Sequence, residues 1–187
     1  MWEGNRHAGF PTQRQPIEPE DFGKYCRVIE NFPKPGVSFK DITPLLLDGE
    51  AFKRAIQALS WQFIDKVDSI VCIEARGFLI GAPMAFHLNC GLIPVRKRGK
   101  LPGKTQSATY DLEYGTDTLE IHMDAVKPQQ RILIVDDVLA TGGTAKAVIN
   151  LIRELKGNVI GCAFLGELKE LNGRTKLDVP VYSLIKF

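Results

Sequence analysis

Apolar residues recur along this chain with two periods, one helical and one close to two, and the order in which they alternate predicts the architecture. Phe22, Tyr25, Cys26 and Ile29 fall on one helical face, so a helix is expected after Pro19. Pro33 and Pro35 then forbid helix, which makes "FPKPGVSFKDITP" an extended connection. Asp48 is placed to cap a helix striped by Phe52, Ala55, Ile56, Leu59 and Phe63. "SIVCIEA" is a short run of the fully buried strand type. "GFLIGAPMAFHLN" reads as a helix with Pro83 in its first turns, and "GLIPV" as another strand. A long basic loop is expected over residues 97–105. "ATYDLEYG" and "TDTLEIHMD" alternate by two around turn residues, as a β-hairpin does. "RILIV" is a buried strand. "TAKAVINLIRELKG" is a helix with Ala147, Val148, Leu151, Ile152 and Leu155 inward and Gly157 at its end. "NVIGCAFLGE" and "VYSLIKF" close the chain as strands.

Strands alternating with helices imply an α/β fold, a mostly parallel twisted sheet with helices on both faces. Ligands bind such sheets at the carboxyl ends of the strands. Residues 1–20 have no apolar period and read as a mobile arm. Residues 21–187 then form a single domain.

Bulk composition narrows the classes. The chain has 187 residues, 44% hydrophobic and 25% charged, a globular mixture that argues against general disorder. Its 24 basic and 22 acidic residues leave a net charge of +2, which gives no support to a nucleic-acid binder as a whole. Cys26, Cys72, Cys90 and Cys162 form no CxxC pair, and His7, His87 and His122 have no metal-ligand spacing. No apolar stretch approaches the ~20 residues that span a bilayer, so no membrane role is expected. A reducing compartment, the cytoplasm, is the expected location.

One stretch carries chemistry. In "ILIVDDVLATGGT", a buried strand runs into Asp136 and Asp137, then into Thr141-Gly142-Gly143-Thr144 at the start of a helix. With "ILIV" as the strand, the two aspartates stand at its carboxyl edge. Carboxylates accept only, so a pair suits neighbouring hydroxyls such as the 2′ and 3′ hydroxyls of a ribose, or a divalent cation. The N–H groups and dipole of a helix start suit phosphate, and glycine lets the backbone approach it. Two acids alone would most often be an acidic turn. Strand, acids, TGGT and helix in succession are far more specific, spaced to hold one ribose 5-phosphate. There is no Walker A loop and no G-x-G-x-x-G.

"VDDVLATGGT" closely resembles the phosphoribosyl-pyrophosphate (PRPP) signature of the type I phosphoribosyltransferases. "FPKPGVSFKDITPLL", "EARGFLIGAP", "RKRGKLPG" and "YDLEYG" look, in that order, like the adenine-using branch of that family. The resemblance covers about residues 22–187. It implies the type I phosphoribosyltransferase fold, with a flexible β-hairpin lid and a small base-binding hood. Ribose and 5′-phosphate would lie on Asp136, Asp137, Ala140, Thr141, Gly142, Gly143 and Thr144. Pyrophosphate would lie on Glu74, Ala75, Arg76, Arg96, Lys97 and Lys100, in a loop that often carries a non-proline cis peptide. Glu113 would assist proton transfer at the purine, with Tyr110 and Tyr114 sealing the lid. Adenine would meet Val37, Ser38, Phe39, Lys40 and Leu168. By its own pattern Phe39 is as readily a core residue as a stacking one. Lys40 departs from the arginine of many family members and lacks its planar fork.

What the resemblance implies is transfer of a phosphoribosyl group from PRPP to adenine, giving AMP and pyrophosphate, in purine salvage. Magnesium (Mg2+) would bridge substrate oxygens, reached by Asp136 and Asp137 indirectly through substrate and water. A homodimer is expected, and no nucleic-acid partner. Three alternatives stay open on sequence alone: another purine as acceptor, a regulator that binds PRPP without catalysis, and a nucleic-acid module built on the basic loop.

Overall fold

The computed structural model describes residues 20–111 and 116–187, and these form one seven-stranded sheet, a two-stranded sheet and four α-helices. In chain order they are β1 (Arg27–Glu30), β2 (Ser38–Asp41), α1 (Thr43–Leu47), α2 (Gly49–Ser60), β3 (Ser69–Ile73), α3 (Arg76–Leu88), β4 (Gly91–Lys97), β5 (Thr105–Asp111), β6 (Thr116–His122), β7 (Arg131–Leu139), α4 (Gly143–Glu154), β8 (Asn158–Glu167) and β9 (Val181–Lys186). The large sheet has the order β5-β6-β4-β3-β7-β8-β9. It is parallel from β4 through β9, and the β5–β6 hairpin joins it antiparallel at the β4 edge.

Alternation of side chains across the central strands builds two cores. Ile70, Cys72, Leu133, Val135, Ala163 and Leu165 pack with α2 and α3 on one face. Val71, Ile73, Ile132, Ile134, Cys162 and Phe164 pack with α4 on the other. Burial on both faces explains why these strands read as continuous apolar runs. Asp48 does cap α2, accepting from the Ala51 N–H at 2.9 Å. The hairpin, both closing strands and the α4 stripe lie where the pattern put them.

Several expectations change. The spacing Phe22, Tyr25, Cys26, Ile29 does not make one helix: Phe22–Tyr25 is a single 3-10 turn, and the chain then extends as β1 to pair with β2. Val28 and Ile29 are β-branched, and cross-strand pairing outweighs a short helical period. The connection after Pro35 holds β2 and α1, with Pro44 in the first turn of α1, where its missing N–H is harmless. Pro83 sits in the middle of α3 rather than in its first turns. The left-handed residue after α4 is Lys156, at φ 64°, not Gly157. Gly157 is needed for closeness, because a Cβ there would lie 2.6 Å from Ile152 Cγ2 and 2.7 Å from Val126 Cγ1. The strand "ILIV" also does not stop at the aspartates, which bears directly on the site. Among the described residues, no helix is long and apolar enough to cross a membrane.

Candidate active site

β3 ends at Ile73, and its pairing with β7 stops at Cys72 and Val135. On its other side β7 stays paired with β8 as far as Leu139 and Glu167. Asp136 and Asp137 therefore overhang the end of β3 while β8 still holds their backbone. Asp137 is buried and Asp136 partly so. The Asp137 N–H donates to Asp136 Oδ1 at 2.9 Å. Burial pushes both carboxyls up. The neighbouring Asp137 charge raises Asp136 further, and Arg76 pulls Asp137 partly back.

The turn from β3 into α3 supplies the facing wall. The Glu74–Ala75 peptide is cis. Glu74 accepts from the Lys97 N–H at 2.9 Å and from Arg96 Nε and Nη2 at 3.1 and 3.3 Å. The Lys97 backbone bond first, then the Arg96 guanidinium, holds the Glu74 carboxyl below its usual range. Arg96 also donates to the Lys100 carbonyl at 3.2 Å, folding the basic loop back toward the turn. The Lys97 ammonium points elsewhere, to Asp117 at 3.2 Å on β6.

Arg76 joins the walls. Its Nη2 lies 2.7 Å from Asp137 Oδ2. The approach is an ion pair without an aligned N–H, so that buried oxygen accepts no hydrogen bond. The guanidinium also lies 5.0 Å from the centroid of the Phe39 ring. Phe39 belongs to β2, packs edge-on against Phe32 at 5.2 Å and is half-buried. Val37 and Ser38 precede it, also half-buried. Lys40 donates to Ser38 Oγ at 3.1 Å and stands 5.8 Å from the centre of the Phe187 ring. The β1–β2 sheet thus forms a hood whose Phe39 shares one guanidinium with Asp137.

Residues 140–144 complete the floor. Gly142 takes φ 80°, a left-handed conformation that favours glycine, and α4 starts with no side-chain cap. The first-turn N–H groups at Gly143, Thr144 and Ala145 therefore have no intrahelical acceptor. α3, starting after Ala75, also lacks a side-chain cap. Two open helix starts flank the carboxylate pair, each suited to an anion such as phosphate. Tyr110, on β5, has its phenol raised by burial and lies beside Thr144. Leu168 follows β8, half-buried, its N–H donating to the Leu139 carbonyl at 2.9 Å. Glu113 and Tyr114 lie outside the described residues.

One residue of the "EARGFLIGAP" segment had no role of its own in the sequence pattern. A Cβ on Gly77 would lie 2.7 Å from Asp136 Oδ1 and 3.2 Å from Asp136 Cα, so only glycine lets α3 begin against the carboxylate. A glycine directly after Arg76, in the first turn of an apolar helix, was the available signal. Among the described residues, no three His, Cys, Asp or Glu side chains gather as a metal cage.

Residues 45–184 match the phosphoribosyl transferase domain, and with the α/β fold this makes the chain a transferase of that class. The adenine phosphoribosyltransferase of Desulfitobacterium hafniense is 58% identical over 169 residues, 89% of this chain and 98% of that protein. The crystal structure of adenine phosphoribosyltransferase from Thermoanaerobacter pseudethanolicus is 53% identical with a TM-score of 0.86, over 89% of this chain and 98% of its own. The Saccharomyces cerevisiae enzyme, solved with adenine and an imino-altritol bisphosphate, is 38% identical with a TM-score of 0.84, over 87% and 98%. The chain belongs to the phosphoribosyltransferases and, among them, to the adenine phosphoribosyltransferase family.

Proposed function

We propose that this protein transfers the 5-phosphoribosyl group of PRPP to adenine, releasing AMP and pyrophosphate, in purine salvage. The observation that carries the reading is Arg76, set between the hood ring Phe39 and the carboxylate of Asp137, with an open helix start on either side. That arrangement suits a flat base, a diol and two phosphate groups within one substrate's reach.

The 5′-phosphate is taken by the N–H groups of residues 140–144 and the hydroxyls of Thr141 and Thr144. Asp136 and Asp137 accept from the ribose hydroxyls. Once PRPP enters, the Arg76 guanidinium turns from Asp137 toward the incoming pyrophosphate, together with Arg96, Lys100 and the turn at Glu74–Ala75. Lys97, paired with Asp117, contributes its backbone through Glu74. The bond from C1′ to pyrophosphate breaks, C1′ gains oxocarbenium character, and a purine nitrogen attacks it. The proton displaced from the purine passes to Glu113, a role that rests on the resemblance alone. Adenine lies between Phe39 and Leu168, with the backbone of Val37, Ser38 and Lys40 reading its edge. Tyr110 and Tyr114 help to exclude water from the reacting carbon.

A divalent cation fits this site only through shared ligation. The described residues offer two adjacent carboxylates, one with a buried oxygen that accepts no hydrogen bond, and no third protein ligand. Magnesium suits that set because it keeps waters and substrate oxygens as ligands. When bound, it would neutralise charge on the leaving pyrophosphate.

Leu79, Phe86 and Leu92 expose apolar surface around α3 and β4. A second copy covering that face is the proposed assembly. The free cysteines, two of them buried, suit a reducing cytoplasm.

An absorbance assay with PRPP and magnesium, run in parallel with adenine, hypoxanthine, guanine and uracil, tests the reading. Turnover with adenine alone is expected. Turnover with another base would overturn the hood assignment. Tight PRPP binding without turnover would favour a regulator.

A further inference from the structure

A phosphate cradle made of backbone N–H groups has few side chains to steer it. Its geometry must come from whatever packs behind it. Behind residues 140–144 lies the segment between β8 and β9. Gly173 is buried there, and a Cβ on it would run into the Ala140 carbonyl oxygen and lie 2.9 Å from the Gly142 nitrogen. A Cβ on Gly142 would in turn run into the Gly173 carbonyl. The two backbones therefore touch with no side chain between them.

The next residue anchors that contact. Arg174 donates from Nε and Nη2 to the two oxygens of Glu167, at 3.0 and 2.7 Å. It also donates from Nη1 to the Val181 carbonyl at 2.6 Å and from Nη2 to Ser183 Oγ at 3.1 Å. Ser183 donates to the same Glu167 carboxylate. Glu167 is buried at the end of β8, in register with Leu139 at the end of β7. One guanidinium thus ties the segment to the last residue of one strand and to two positions on the next.

We propose that Arg174 and Gly173 are positioning residues for the 5′-phosphate loop, which rests on reading residues 140–144 as that loop. Arg174, clamped on Glu167, Val181 and Ser183, holds the Gly173 backbone beneath Ala140 and Gly142. The loop's N–H groups are thereby set before substrate arrives. Arginine is required because four acceptor atoms on three residues, at fixed angles, match its planar fork, whereas an ammonium is a point charge. Leu168 is held separately, by its own N–H bond to Leu139, so the base side stays in place if the clamp loosens.

The test uses the full chain carrying Gly173→Ala or Arg174→Lys. Gly49→Ala is the control, because a Cβ at Gly49 meets nothing within 4 Å. KM and kcat are measured for PRPP and for adenine, with ribose 5-phosphate binding by calorimetry and thermal melting alongside. Both variants should raise the KM for PRPP about tenfold or more and weaken ribose 5-phosphate in parallel. The KM for adenine should stay within about twofold. Folded variants with unchanged PRPP and ribose 5-phosphate affinity, or with equal losses for both substrates, would overturn the proposal. If Gly173→Ala fails to fold, Arg174→Lys decides by the same criteria. A wild-type protein that turns over no base sinks the transferase reading, while ribose 5-phosphate affinity across the variants still decides the clamp.

Discussion

Arg76 Nη2 stands 2.7 Å from Asp137 Oδ2 and donates no aligned hydrogen bond to it. The pair is close enough to neutralise a buried carboxylate and loose enough for the guanidinium to leave it. The proposed transfer of this cation to pyrophosphate calls for that combination.

Asp137→Asn keeps the shape and removes the charge. Its kcat/KM for PRPP should fall on the order of 100-fold, the size of effect expected when one preorganised electrostatic group is lost. Its melting temperature should not fall, since a buried charge without an aligned donor is also removed. Normal activity would exclude Asp137 from ribose binding.

Arg76→Met removes the cation and leaves the carboxylate. Asp137, already pushed up by burial, should then rise further. The folded state takes up that proton at a higher pH than the unfolded chain, whose carboxyl ionises near 3.8. Stability should therefore fall as pH rises through the shifted value, and more steeply than in the wild type. Melting temperatures compared as pH is raised from 3.8 toward neutrality check the slope.

Gly77→Ala drives a methyl toward Asp136 Oδ1 at 2.7 Å. Overpacking of this kind costs about 1–3 kcal/mol. Denaturant unfolding should show that loss, and the rate should fall with it because Asp136 is displaced. A stable, fully active variant would mean that α3 can retreat without harm.

Asp178 gathers Arg153 Nη1 at 2.8 Å and Lys146 Nζ at 3.2 Å, tying α4 to the chain before β9. These cations, Arg153 first, hold its carboxyl at about 2. The stabilisation is complete above the unfolded value of 3.8 and fades as pH falls toward about 2. The melting difference between wild type and Asp178→Asn should be small near neutrality, because the group is exposed, and should vanish at the acid end.

Much of this was legible because each signal was local. The apolar runs at Ile70 and Ile132, the Asp48 cap and the TGGT turn depend on a few adjacent residues. What was hidden depends on partners far away in the chain. Nothing near Val28 says that Lys40 will pair with it and turn a helical spacing into a strand. Nothing near Asp136 says that β8 will keep β7 extended through both acids. Gly77 looks like any residue at a helix start until α3 is seen to begin on Asp136. The run from Arg96 to Lys104 holds five cations, and nothing in it says that Lys97 would face Asp117 and Arg96 would face Glu74. Gly173 and Arg174 gave no signal at all, since their role lies in what stands in front of them.

The alternation of β7 between two cores limits how this protein can vary. Adding or deleting one residue just after Arg131 would send Ile132, Leu133, Ile134 and Val135 each to the opposite layer. It would also exchange the places of the two aspartates. The parity is restored only by a paired change or by a bulge, such as the one-residue shift β8 makes opposite Ile132 and Leu133. Length differences among descendants of this sequence should therefore collect outside the central strands, in stretches such as residues 98–104. The turnover chemistry is protected from drift by whether a count is odd or even.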